Sequence, residues 1–261
     1  MRELGKTGLS VSVLGLGTVK WGRTLGLKYP TPVTLPDDDE LNRLLRVARD
    51  HGMNLIDTAP AYGIAEERIG RLIDDRESWV IATKFGEQFT EGVSRFDFSS
   101  RALRESLDAS LRRLRTDRVD LLLVHSDGQV EHRFPHDLIE ALMKERDAGR
   151  VRAIGISSKT KEGGFAALDW ADVLMVTLNP EYREEVELIR EASRRGVGIL
   201  VKKALLSGHG GGTARPSIRE CLATSLLEPG VSSIVIGSVS STNVENNARI
   251  ADDILARGDA P

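Results

Sequence analysis

A single cysteine, Cys221, stands among 261 residues, which excludes an internal disulfide framework and any cysteine-rich metal site. It shares an apolar helical spacing with Ile218, Leu222 and Ser225, the pattern of a packed core thiol rather than a nucleophile. No apolar run is long enough to span a bilayer. Near the N-terminus, Arg2 and Lys6 precede the stretch from Leu9 to Leu14, whose alternation reads as a strand and not as a secretory leader. Basic runs are absent too, and a net charge of −3 offers nucleic acid no positive surface. The chain has no low-complexity tract, no linker and no long repeat. These absences predict a soluble, cytoplasmic protein of one domain, residues 1–261. With 40% hydrophobic residues it can build a sizeable core.

What is present is an alternation. Eight short apolar runs recur between turn signals: Val11–Gly17, Asn54–Thr58, Trp79–Lys84, Asp120–His125, Val151–Ser157, Asp172–Leu178, Gly198–Lys203 and Ser232–Gly237. Most are continuous, as strands buried on both faces should be. Helical spacings separate them. Leu41, Leu44, Leu45 and Ala48 form one apolar stripe, and Ala102 to Leu114 forms another behind the caps Ser99 and Ser100. Glu66 and Glu67 open a further helix, and others are predicted near 136–148, 160–169, 183–195, 216–227 and 241–256. Eight strand–helix units at this length predict an α/β (β/α)₈ TIM barrel. Gly5 and Gly8 predict an N-terminal β-hairpin closing its bottom. A doubly wound open sheet is the alternative, and it usually carries G-x-G-x-x-G after the first strand. Here Gly15-Leu-Gly17 continues as Thr18-Val19-Lys20, so the third glycine is missing. Segments 18–37 and 85–98 show no regular pattern, and the glycines of 208–212 predict a mobile loop.

The strand ends carry the chemistry. The second run ends in Asp57, the third in Lys84 and the fourth in His125, with Tyr62 in the turn after Asp57. In a barrel these ends are neighbours on the catalytic rim. A free phenol titrates near 10, and a neighbouring ammonium is expected to lower that value. Asp57 would keep Lys84 charged and fix its direction, while His125 could donate to a substrate oxygen or pass a proton to Tyr62. Such a set suits protonation of a carbonyl oxygen. Taken singly, Asp57 could be a helix cap, Tyr62 a loop aromatic, and Lys84 and His125 ordinary rim residues. A Schiff-base aldolase using Lys84 or Lys202 is a further reading.

The order of Leu16-Gly-Thr18, Asn54-Leu-Ile-Asp-Thr-Ala-Pro-Ala-Tyr-Gly63, Ile81-Ala-Thr-Lys84, Asp120-Leu-Leu-Leu-Val-His125, Gly155-Ile-Ser157 and Val235-Ile-Gly-Ser238 resembles the aldo-keto reductase family over nearly the whole chain. The resemblance implies hydride transfer between a nicotinamide cofactor and a small-molecule aldehyde or ketone. Tyr62 would be the general acid, Lys84 would lower its pKa, Asp57 would pair with Lys84, and His125 would orient the carbonyl. Thr18, Val19 and Asp57 would lie by the nicotinamide and its ribose, and Ser157 and Ser158 by the carboxamide. Lys203, Leu205 and Ser207 would follow the pyrophosphate. Gly237, Ser238, Ser240, Asn243 and Asn247 would take the adenosine end at a helix N-terminus. Trp21 would wall the substrate pocket, and no metal is implied.

Four positions depart from the family pattern. Ser158 stands for the usual Asn, Met175 for Gln, Leu178 for a stacking aromatic, and Asn243 for the arginine that often holds the 2′-phosphate. Lys202, Lys203 or Arg249 would have to replace that arginine. NADP(H) is the cofactor the resemblance favours, with NAD(H) as alternative, in a monomer. A non-catalytic nicotinamide-binding barrel, acting as sensor or partner subunit, is the competing expectation. Little sequence follows the last helix, so the pocket should be open unless Lys20–Pro36 or Gly86–Phe98 folds over it.

Overall fold

The N-terminal hairpin forms first, from β1 (Arg2–Glu3) and β2 (Ser10–Val11), paired antiparallel with Arg2 opposite Val11. The first barrel strand therefore begins later than the apolar run suggested, at β3 (Leu14–Gly17). Side-chain hydrogen bonds divide that run. The amide of Ser12 donates to Asn54 Oδ1, and the Ser12 hydroxyl donates to the Leu14 carbonyl. Asn54 returns a bond to the Ser10 carbonyl. A computed structural model describes residues 1–27, 34–132, 134–208, 210 and 215–258. The glycine-rich stretch at 208–212 lies largely outside the described residues.

Beyond β3 the chain alternates as expected. It runs through α1 (Asp38–Asp50), β4 (Leu55–Asp57), α2 (Ala65–Leu72) and β5 (Val80–Phe85), and then through a second hairpin of β6 (Glu87–Thr90) and β7 (Val93–Phe96). Next come α3 (Ser100–Leu114), β8 (Val119–His125), α4 (His136–Asp147), β9 (Val151–Ser157), α5 (Lys161–Ala167) and β10 (Val173–Thr177). The remaining elements are α6 (Val186–Arg195), β11 (Gly198–Lys202), α7 (Ile218–Leu226), β12 (Val231–Ile236) and α8 (Ser241–Arg257). The eight strands β3, β4, β5, β8, β9, β10, β11 and β12 close into one barrel, all parallel, with β12 returning to β3. This is the (β/α)₈ architecture.

Two apolar layers hold it together. Inside the barrel, Leu55, Ala82, Leu121, Leu123, Ala153, Val173, Met175 and Leu200 pack with Leu4, Leu9 and Val11 of the first hairpin. The hairpin is thus a plug, tied down by Arg2 donating to the carbonyls of Val231 and Leu226. Outside the barrel, the other faces of the strands meet the apolar stripes of the helices. Caps set where several helices start. Asp37 and Glu40 form a capping box on α1, Ser99 caps α3, and Ser240 caps α8.

The segment 85–98, read from sequence as irregular, is the β6–β7 hairpin. Its two-residue turn, Glu91-Gly92, has φ of 51° and 85°, the positive angles that match a hairpin's twist. Burial alternates along β6. The hairpin follows β5 and so stands on the same rim as the strand ends.

A second device on that rim is a contact between backbones. Gly22, after the short turn Val19–Trp21, lies against Gly63, after the turn Pro60–Tyr62. A Cβ on Gly22 would fall 2.2 Å from the Tyr62 carbonyl oxygen, and one on Gly63 would fall 2.1 Å from that of Gly22. Gly63 also has φ +62°, which side chains resist. Only two glycines allow the turn carrying Tyr62 to dock so closely. Overpacking of this kind costs about 1–3 kcal/mol. Gly22→Ala should lower the unfolding free energy by that amount in urea titration; wild-type stability would show that the contact does not constrain the turn.

Candidate active site

Three of the four predicted catalytic residues meet at one nitrogen. Lys84, at the end of β5, is only 1% exposed, and a buried ammonium must have every proton satisfied. Its Nζ donates to Asp57 Oδ1 at 2.5 Å, to the Thr58 carbonyl at 2.9 Å and to Tyr62 Oη at 3.2 Å. Asp57 closes β4, and Tyr62 follows in the turn held by Gly63. His125 ends β8 and meets the Tyr62 ring edge-on, with centroids 6.0 Å apart. The sequence-predicted set of Asp57, Tyr62, Lys84 and His125 is brought together.

The electrostatics differ from expectation in one respect. Burial alone would push the Lys84 ammonium down, but Asp57 and Tyr62 outweigh it and hold its pKa above the ordinary value. Burial pushes the Tyr62 phenol up. Lys84 acts on it in the predicted, lowering direction, yet the net shift is upward because desolvation is the larger effect. Tyr62 is therefore held as a protonated phenol. Burial also pushes the imidazole of His125 below its usual value.

The structure adds residues that the strand-end reading missed. Glu87, on β6, places Oε2 2.9 Å from His125 Nδ1, although the direction misses the line of a ring N–H and leaves Nδ1 without an aligned partner among the described residues. Burial pushes the Glu87 carboxyl up, but His125, Ser94 and Arg23 more than offset this and hold it at about 2. Arg23 follows the turn Val19–Trp21 and lies 3.7 Å from Glu87. The sequence signal for Glu87 was the Glu91-Gly92 turn, which places it on a hairpin beside the third strand.

The other predicted residues distribute as follows. Thr18 is buried, and both its N–H and its hydroxyl donate to the Asp57 carbonyl at 3.0 Å. Val19 opens the turn that follows. Ser157 ends β9 and Ser158 follows it; Ser158 Oγ is buried without a hydrogen-bond partner among the described residues. Met175 lies opposite Ser157 on β10 and is buried in the barrel interior. Lys203, Leu206 and Ser207 have φ of 58°, 53° and 54°, a sparsely populated conformation for residues with side chains. Leu205 sits within this strained loop. Gly237 and Ser238 follow β12, Ser240 caps α8 by accepting from the Asn243 N–H, and Asn247 is buried on the same helix.

Two expectations need correction. Trp21 is 0% exposed, packs in the outer core and directs Nε1 toward the Ser238 carbonyl at 3.5 Å. It is a packing residue and not an open pocket wall. Lys202 donates to Ser157 Oγ at 2.9 Å and to the Ser158 carbonyl, so it is turned toward β9. Burial first, then Lys203, pushes its ammonium down to about 7.

The sequence model of the Aldo/keto reductase family matches residues 13–221. L-galactose dehydrogenase of Arabidopsis thaliana is 27% identical, over 99% of this chain and 90% of that protein. Pyridoxal 4-dehydrogenase of Microbacterium luteolum is 30% identical, over 79% of this chain and 71% of its own length. Among solved structures, a protein assigned as an aldo-keto reductase from Pseudomonas aeruginosa superposes with TM-score 0.88 at 43% identity, over 97% of this chain and 94% of that one. The holo form of an aldo-keto reductase from Bacillus halodurans gives 0.80 at 25% identity, over 96% and 90%.

The buried ion pair generates a prediction about stability. Removing one partner strands a charge and costs about 3–5 kcal/mol, whereas replacing both by apolar groups is often neutral. Asp57→Leu should be strongly destabilised in urea titration, and the double variant D57L/K84M should recover much of the loss. A double variant no more stable than D57L would mean that Lys84 is not held by this pair.

Proposed function

The chain belongs to the aldo/keto reductase family and is an oxidoreductase; from that premise we propose that it transfers a hydride between NAD(P)H and an aldehyde or ketone, with Tyr62 as general acid. The observation that carries this reading is the third hydrogen bond of Lys84. With one proton given to Asp57 and one to the Thr58 carbonyl, the ammonium aims the remaining one at Tyr62 Oη. A phenol held protonated beside a fixed cation can give up its proton as negative charge grows on a carbonyl oxygen, and the cation then stabilises the phenolate. His125 stands edge-on to that phenol and orients the carbonyl. Asp57 keeps the lysine charged and immobile.

The cofactor fits the residues present. Ser158 Oγ is a buried polar atom with no partner among the described residues, at the strand end assigned to the carboxamide. The N-terminus of α8, where Ser240 caps only the Asn243 N–H, suits a phosphate. When bound, the nicotinamide supplies the hydride. Thr18, Val19 and Ser157 would border its ring, Lys203, Leu205 and Ser207 its pyrophosphate, and Gly237, Ser238 and Asn247 its adenosine. Lys202 is committed to Ser157 and Arg249 to Glu245, which weakens both as 2′-phosphate ligands. NADP(H) is the first cofactor to test and NAD(H) the second. A monomeric, cytoplasmic enzyme is part of the same proposal.

Aldehyde-dependent loss of absorbance at 340 nm, with NADPH and then NADH, tests the reading. The panel should include the reverse direction, oxidation of L-galactose and pyridoxal by NADP⁺ or NAD⁺ read as a gain at 340 nm, since these are the substrates in the names of the two relatives. Tyr62→Phe should lower kcat by about 10²–10⁴-fold, the range for a positioned general acid, while cofactor affinity measured by titration calorimetry stays the same. Wild-type turnover in that variant would remove Tyr62 from the role; cofactor binding with no turnover in the wild type would support the non-catalytic reading.

A further inference from the structure

Glu87 reaches the site from the β6–β7 hairpin rather than from a strand end, and it is held on every side. Oε2 lies 2.9 Å from His125 Nδ1. Oε1 accepts from the Ser94 hydroxyl at 2.6 Å, and Arg23 lies 3.7 Å away. Arg23 is itself fixed. It donates to the carbonyls of Leu25 at 2.9 Å and Ala61 at 3.4 Å, and its guanidinium sits 3.2 Å from the centroid of Phe89. The Glu87 side chain is 12% exposed, so this is not a solvated surface charge.

We propose that Glu87 is a positioning residue for carbonyl reduction, the countercharge that lets the His125 imidazole take up and present a proton in the barrel mouth. The proposal deepens the reading of the previous subsection and rests on it.

The groups facing His125 make such a countercharge necessary. Lys84 approaches from β5 and Lys202 from β11, both opposing a positive ring, as does burial itself. Tyr62 approaches from its turn as a neutral ring edge. Arg23, a cation, is screened from His125 by the carboxylate between them. Among these groups Glu87 alone favours the imidazolium. Glu87 lies 2.9 Å from Nδ1 but off the line of its N–H, so it acts on the ring through its charge. As the imidazolium, His125 carries a proton on both ring nitrogens and can donate from Nε2 to a carbonyl oxygen. Tyr62 supplies the one proton that the reduced oxygen takes; a proton passed from Nε2 then restores the phenol, the imidazole regains its own from solvent, and Glu87 remains a carboxylate throughout.

The test is Glu87→Gln, which keeps size and removes charge, with Glu87→Asp as the conservative variant. Histidine ring ¹⁵N–¹H NMR across pH, with His125 assigned through H125N, reads the proton affinity directly; steady-state reduction of an aldehyde reads the consequence. E87Q should lower the proton affinity of His125 by about tenfold or more, the usual effect of losing an opposite charge at this range. Its kcat should fall with the cofactor Kd unchanged, and E87D should restore part of both. Circular dichroism establishes that each variant is folded, and E87D supplies the comparison if E87Q is not. An active wild type with an unchanged His125 titration in E87Q overturns the proposal by itself. A wild type with no turnover on any carbonyl overturns the functional reading beneath it, and the titration still shows whether Glu87 charges the ring.

Discussion

A lysine ammonium cannot be buried alone, and the barrel mouth is arranged around that constraint. Lys84 is enclosed at the end of β5 with three protons to place. Two go to the end of β4, to Asp57 and the Thr58 carbonyl, and the third goes to Tyr62. The same requirement that keeps the ammonium charged therefore directs it at the phenol. Stability and chemistry are joined at one nitrogen: a barrel that lost Asp57 would lose both the counter-ion and the direction of the cation.

The rest of the rim serves to keep Tyr62 and His125 where this nitrogen needs them. The turn carrying Tyr62 is pressed against the first loop through two glycines with no room for side chains. The β6–β7 hairpin stands beside it and brings Glu87 to His125, while Arg23 from the first loop stacks on Phe89 of the hairpin. The second of the two segments expected to have a place at the pocket, 86–98, thus reaches the site through Glu87. Loops on a rigid barrel are where such local differences between relatives reside.

Much of this was legible in the sequence because it rests on repeating patterns. Continuous apolar strands and apolar helix stripes gave the eight units, and the strand ends named Asp57, Lys84 and His125 with Tyr62 close behind. The misses have physical reasons. Val11 and the first barrel strand read as one run because both segments are apolar, and of the Ser12 hydrogen bonds that separate them the one with Asn54 comes from distant chain, while the one with Leu14 is local. The β6–β7 hairpin is largely exposed and carries few apolar residues, so its alternation is faint in the sequence and only the Glu91-Gly92 turn marks it. Trp21 was assigned by its position in a loop, which says nothing of burial. Lys84 acts on the Tyr62 phenol in the expected lowering direction, and the net upward shift comes from desolvation, which a sequence does not display.

The central claim is that this mouth reduces carbonyls by hydride transfer. The most direct measurement incubates the protein with NADPH or NADH deuterated at the transferable C4 position and an aldehyde, and locates the label in the product by NMR. One deuterium on the former carbonyl carbon of the alcohol is the predicted result. An alcohol without the label, or no alcohol at all, would contradict it.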